Sequence, residues 1–125
     1  MTTLLVMPKN VAEEQIEAVR EALSPRPLRT TSEEYALRFF DAGGWDAWIR
    51  ILAQGKDILT QKPLFDEIYC LHPELGKSSA GIVVRALHAG KPVRYIDTDG
   101  THRTVVSVEQ TDPDDWVTGW TINYI

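Results

Sequence analysis

Leu64-Phe65-Asp66-Glu67-Ile68-Tyr69-Cys70-Leu71 is a largely apolar run, followed by the loop His72-Pro73-Glu74-Leu75-Gly76-Lys77. Ser78-Ser79-Ala80-Gly81 then open an apolar helical run that ends at Gly90, and Lys91-Pro92-Val93-Arg94-Tyr95-Ile96 reads as a second strand. A strand, a helix and a strand joined this tightly make a βαβ unit, with parallel strands and a right-handed crossover. Ligands of open parallel sheets sit beyond the carboxyl ends of the strands, which is where residues 72–81 must fall. Ser78 and Ser79 are good N-cap residues, while Ala80 and Gly81 keep the first turn bare enough for a ligand to approach the backbone. Free amides and the helix dipole favour phosphate, carboxylate or ribose hydroxyls at such a place. The plainer alternative is that the serines only cap the helix and the small residues only pack closely.

Outside this unit, composition sets bounds. At 125 residues the chain reads as one domain spanning 1–125, with the hydrophobic and charged fractions of an ordinary globular protein. A formal charge of -5 disfavours general nucleic-acid binding, which depends on clustered Lys and Arg. A local patch of Arg26, Arg29, Arg38 and Arg50 is the exception to consider, against solvated surface arginines as the bland one. The single cysteine rules out an internal disulfide and fits a reducing cytoplasm. The first residues lack the basic flank and long apolar core of a signal peptide, and no apolar run approaches a membrane span. A cytoplasmic chain without a membrane partner is the expectation.

Leu4 to Met7 reads as a buried first strand stopped by Pro8. Asn10 and Glu13 form a capping-box-like start to a helix that runs through Leu23, and Ser24-Pro25-Arg26-Pro27 ends it. Pro8, Lys9 and Asn10 would lie beside the Ser78 turn, where Lys9 can meet a phosphate. The next segment has two readings. Tyr35 to Phe40 alternates like a strand closed by Asp41-Ala42-Gly43-Gly44, while Thr31-Ser32-Glu33-Glu34 resembles a capping box that would make 28–31 the strand. The turn signal favours the strand at 35–40. Trp45 to Gln61 reads as one helix with Trp45, Trp48, Ile49, Leu52, Ile58 and Leu59 on its apolar face, Gly55 interrupting without breaking it. Trp48 reads as core; Trp45, beside Gly43 and Gly44, divides evenly between covering the helix start and stacking on a base. After the turn Asp97-Thr98-Asp99-Gly100, strands at 104–108 and 116–124 form an antiparallel extension of the sheet or a hairpin on its edge. Trp116, Trp120, Ile122 and Tyr124 share a face there, and an exposed face with two tryptophans would suit a homodimer or another protein partner.

Other chemistry is weak. Cys70 and His72 lie two apart at a strand end, yet a nucleophile pair also needs a third orienting group and a lowered thiol pKa. A buried structural cysteine is the better reading. His72, His88 and His102 have no paired ligand spacing, and no phosphate loop or dinucleotide fingerprint is present. No metal and no cofactor is expected.

Asp66, the apolar strand, the turn Ser78-Ser79-Ala80-Gly81, the helix, and Gly90-Lys91-Pro92-Val93 together resemble the closing half of the nucleoside 2-deoxyribosyltransferase-like Rossmannoids. That group is related to the SLOG nucleotide-sensing domains and includes many small phage-borne proteins. The resemblance covers about a third of the chain. It implies an α/β, Rossmann-like fold with a nucleotide-like ligand; with the strands read above, a three-layer sandwich is expected, a mostly parallel sheet with a C-terminal antiparallel hairpin, and the ligand on loops 8–10, 41–45 and 72–81. The family's catalytic Glu would fall near Val84, and glycosidic cleavage needs a carboxylate where this chain has an apolar side chain. Binding without cleavage is therefore the expectation, for sensing or sequestering as a phage or mobile-element protein would do. In the enzyme alternative, an N-glycosidase or deoxyribosyltransferase, Glu74 stands in as the acid. A protein-binding or inhibitory module is the third. Asp66 recurs in the family, but at the amino end of its strand it reads as structural or capping.

Overall fold

The computed structural model describes residues 2–7, 12–57, 60–96, 100–112, 114 and 119–125. In chain order these form β1 (Thr3–Val6), α1 (Glu13–Leu23), β2 (Leu28–Thr30), α2 (Thr31–Ala42), α3 (Trp45–Gln54), β3 (Glu67–Cys70), β4 (Glu74–Leu75), α4 (Lys77–His88), β5 (Val93–Ile96), β6 (His102–Gln110) and β7 (Trp120–Tyr124). The fold is α/β, with a mixed sheet in the order β2-β1-β3-β5-β6-β7-β4.

The first four neighbours in that order run parallel. Leu4 pairs with Arg29 on one side and Ile68 on the other, and Ile68 pairs in turn with Val93. The quoted segment is thus a βαβ unit with parallel strands, as its sequence predicts. The chain moves from β1 outward to β2, then returns to place β3 and β5 on the other side. Strand order therefore reverses between β1 and β3, where open parallel sheets leave a crevice at their carboxyl ends. The end of the sheet is antiparallel: β6 pairs with both β5 and β7, and β4 with β7. Of the two sequence readings of this hairpin, the extension of the sheet is the observed one.

Alternation along β1 divides the core in two. Leu4 and Val6 pack with Trp48, Leu52, Ile68, Cys70, Ile82 and Val83, while Leu5 packs with Val19, Leu23, Leu28, Tyr69 and Ile96. Period-two side chains buried on both sides are what a sheet covered on both faces requires.

Two sequence expectations fail here. Residues 35–40 are helical, inside α2, and the strand is Leu28–Thr30. The capping box overrides the apparent alternation. Thr30 Oγ1 accepts from the Glu33 amide at 3.1 Å, and Glu33 accepts from the Thr30 amide at 3.2 Å. The second failure is the long helix to Gln61. α3 stops at Gln54 because Gly55 takes φ +70°, the left-handed C-cap conformation, and its amide donates to the Ile51 carbonyl at 2.9 Å. The Leu64 and Phe65 amides then return to the Gly55 carbonyl, so the chain doubles back. Ile58 and Leu59 lie outside the described residues, as do Asn10 of the expected capping box, Asp97-Thr98-Asp99 and Trp116. The N-cap of α1 is Ala12, whose amide donates to Gln15 Oε1 at 3.4 Å.

Candidate functional site

Three elements meet at the carboxyl edge of the parallel strands. Met7 follows β1, and its amide donates to Thr31 Oγ1 at 3.2 Å while its carbonyl accepts from Ser79 Oγ at 3.2 Å. One residue thus ties the first turn of α2 to the first turn of α4 across the end of β1. Around this tie lies a cleft of about 310 Å³ lined by Thr31, Ser32, Tyr35, Trp45, Trp48, Ser78, Ser79 and Ile82.

The start of α4 differs from its sequence reading. Neither Ser78 nor Ser79 is the N-cap: the helix begins at Lys77, and Gly76 caps it without any side-chain hydrogen bond. β4 explains the earlier start, because pairing of Leu75 with Trp120 holds the chain extended up to Gly76. Ser78 and Ser79 are then second and third residues of the helix. The first intrahelical donor near this end is the Ala80 amide, which reaches the Gly76 carbonyl at 2.9 Å. A helix start leaves its first amide donors without an intrahelical partner. Gly81 lies at the α3–α4 contact. A Cβ there would make ordinary van der Waals contact with Ile49 of α3 at 3.5 Å, so the residue faces α3.

Behind Gly81, between α3, α4 and β7, runs a larger groove of about 680 Å³. Trp45, Asp46, Ile49, Lys77, Ser78, Ala80, Gly81, Val84, Arg85 and Trp120 line it. Trp45 is 52% exposed and belongs to an aromatic wall, 4.5 Å from Phe39 and 5.5 Å from Tyr35 between ring centroids. Trp48 is core, as read, and its indole donates to the Glu34 carbonyl at 3.4 Å.

Of the residues that sequence assigned to the site, Trp45, Ser78, Ser79, Ala80 and Gly81 line one or both hollows. Gly43 and Gly44 form the α2–α3 turn with φ of +93° and +126°, conformations that L side chains resist, but they line neither hollow. Pro8, Lys9 and Asn10 lie outside the described residues. Glu74 is exposed on β4 and lines neither hollow, whereas Val84 lines the groove. Thr31, Ser32 and Tyr35 were missed because they were read as preceding or forming a strand. Their signal was the capping box.

Asp66 and Lys91 sit at the other end of the strands, around a third hollow with Lys56, Gly90 and Pro92. Lys91 Nζ donates to the carbonyls of Gln54 and Phe65 at 2.9 and 3.0 Å, so it closes the end of α3. Burial pushes its ammonium pKa down, opposed by Asp66. Cys70 is fully buried, and burial alone pushes its thiol up to about 12. His72 is exposed, and its Nδ1 accepts from the Glu74 amide. The pair has the geometry of structure, not of a nucleophile. The four arginines of the suspected basic patch are each paired: Arg26 with Glu67, Arg29 and Arg38 with Glu34, and Arg50 with Asp46. Among the described residues there is no group of three or more His, Cys, Asp or Glu side chains able to hold a metal ion. No helix among them is long and apolar enough to cross a membrane.

Comparison of the chain with protein-family models, curated proteins and solved structures finds no match in any of the three. Function must therefore be argued from the geometry.

Proposed function

We propose that this chain is a single Rossmann-like, three-layer domain, akin to the deoxyribosyltransferase-like and SLOG-like Rossmannoids, that binds a nucleotide or nucleotide-derived small molecule without cleaving it. One observation carries the reading. The first turns of α2 and α4 converge beside the end of β1 on a cleft that combines Ser and Thr hydroxyls with the ring of Trp45. Hydroxyls beside a helix start suit the sugar and phosphate, and an indole face suits the base. The position agrees with the reversal of strand order between β1 and β3. Apolar cores against both faces of β1 support the layered architecture.

Binding without cleavage is favoured because Val84 lines the groove where the resembled family carries its carboxylate, and Glu74 lines neither hollow. A sensing or sequestering role in the cytoplasm fits a chain whose one cysteine is a free, buried thiol. The protein-binding reading keeps one observation of its own. Phe40 is 85% and Leu37 57% exposed on the outer side of α2, an apolar surface suited to a protein partner or a second copy. Trp120, by contrast, is partly buried against the core, which argues against the self-association face read from the last strand.

A thermal-shift panel of nucleosides, nucleoside monophosphates and cyclic dinucleotides tests the proposal. A ligand at a hundred times its Kd adds about 2.7 kcal/mol to apparent stability. At least one nucleotide should raise Tm in wild type and fail to do so in Ser78→Asp, whose added carboxylate repels an anion while favouring the helix start. No shift with any member would overturn it, and release of free base during incubation would replace binding by catalysis.

A further inference from the structure

α2 is turned inside out. Its buried residues are Thr31 and Glu34, whereas Tyr35, Leu37 and Phe40 are exposed. Buried polar groups and a large exposed apolar patch are the departures from ordinary burial that carry information. The patch continues beyond the helix. The Phe40 ring lies 5.8 Å from Phe39, and Phe39 lies 4.5 Å from Trp45, which in turn lines the larger groove. Along the surface the order is therefore a projecting Phe40, then Trp45, then an apolar hollow lined by Ile49, Gly81 and Val84.

Size favours a macromolecular partner. Phe40, Leu37, Trp45 and Tyr35 are 85%, 57%, 52% and 37% exposed. At roughly 150–250 Å² per aromatic side chain, together they present on the order of 400–500 Å². A stable interface takes about 800 Å² from each partner, a little over half of it apolar. This surface supplies the apolar share of one.

We propose that the partner is a second copy of this chain, joined about a two-fold axis near Trp45 so that Phe40 of each copy enters the groove of the other. The inference goes beyond the nucleotide reading and needs none of it. An isologous contact requires one surface to carry both complementary parts, and a half-turn about the middle of the order Phe40, Trp45, groove exchanges its ends. The groove, at about 680 Å³, has space for a phenyl ring. Charge agrees with this pairing. Asp41, next to Phe40, is exposed and makes no ion pair among the described residues. At the groove, Arg85 shares the Asp46 carboxylate with Arg50, each at 2.7 Å. The half-turn brings Asp41 towards those guanidiniums, opposite in charge. Stacking α2 antiparallel on its own copy would instead set Asp41 near Glu33, and like charges oppose that arrangement.

Sedimentation velocity over a concentration series reads the assembly. Wild type should pass from one copy to two and stop there. Phe40→Asp, at a side chain too exposed to matter for folding, should weaken the dimer by about thirtyfold or more, the effect of losing a hot spot. Val84→Lys, in the groove, should do the same. An equal mixture of the two variants should recover mixed dimers, because one Phe40–groove contact stays intact and the other sets opposite charges together. Should Val84→Lys fold poorly, Asp41→Arg at its exposed site should weaken the dimer on its own. A monomer at every concentration would give the patch to a foreign protein and overturn the proposal. So would a series that grows past two copies, or a dimer that Phe40→Asp leaves intact. A dimer broken by Phe40→Asp but by neither Val84→Lys nor Asp41→Arg would set Phe40 outside the groove and overturn it as well.

Discussion

The two helices that start at the carboxyl edge are finished in opposite ways. α2 is sealed: Thr30 and Glu33 exchange capping bonds, and one turn on, the fully buried Glu34 carboxylate holds Arg29 and Arg38. α4 is left open, with Gly76 as a cap that offers no side chain and Ser78 facing two hollows. The contrast teaches that α2 begins on reciprocal side-chain caps, while the N-cap of α4 supplies none.

The largest expected effect comes from the sealed side. Glu34→Ala leaves two arginines without their buried carboxylate and should cost about 3 kcal/mol in urea unfolding, the low end for breaking a buried pair because both arginines keep some solvent. A cost below that of an ordinary surface change would show that α2 is not held there. Cys70 ends the strand that leads to α4, and its pH response follows from the direction of its shift. The folded thiol titrates near 12 and the unfolded one near 9, so above pH 9 the unfolded state sheds its proton first and stability falls. At pH 10 the loss is about 1.4 kcal/mol. Cys70→Ala should flatten this slope between pH 8 and 10, whatever constant packing cost it adds, and an unchanged slope would contradict the assignment. Thr30→Ala should cost about 1 kcal/mol through the lost cap, whereas Ser78→Ala should stay within about 0.5 kcal/mol. Equal costs would erase the contrast. The smallest effect is the sharpest: Gly76→Asp supplies the missing cap and should stabilise the protein by a few tenths of a kcal/mol while weakening nucleotide binding.

How much of this was legible in the sequence varies along the chain. The βαβ unit was, because an apolar strand, small helix-starting residues and Gly90 each constrain one local choice, and the parallel pairing of Ile68 with Val93 follows. The α2 segment was misread because Tyr35, Leu37 and Phe39 alternate as a strand would, yet Tyr35 and Phe39 also lie four apart and stack on one helix face at 4.6 Å. Helix and strand periods coincide over so short a stretch. The end of α3 turned on one residue. Gly55 is tolerated within many helices, and nothing local reveals that a Cβ there would meet the Phe65 carbonyl oxygen at 2.6 Å. The site was half legible. Ser78 to Gly81 and Trp45 were found from the unit and its turn, but the groove wall from Trp120 depends on β4 pairing with β7, 45 positions apart between Leu75 and Trp120. Pairing over that distance leaves no local mark.

Amide shifts in a two-dimensional nitrogen–proton spectrum test the central claim most directly. On titration with the nucleotide that gives the largest thermal shift, the account predicts saturable changes confined to Lys77, Ser78, Ser79, Ala80 and Gly81, to Thr31 and Ser32, and to the Trp45 indole. Changes centred instead on Leu37 and Phe40, or on the Lys56 and Lys91 end of the sheet, would contradict it.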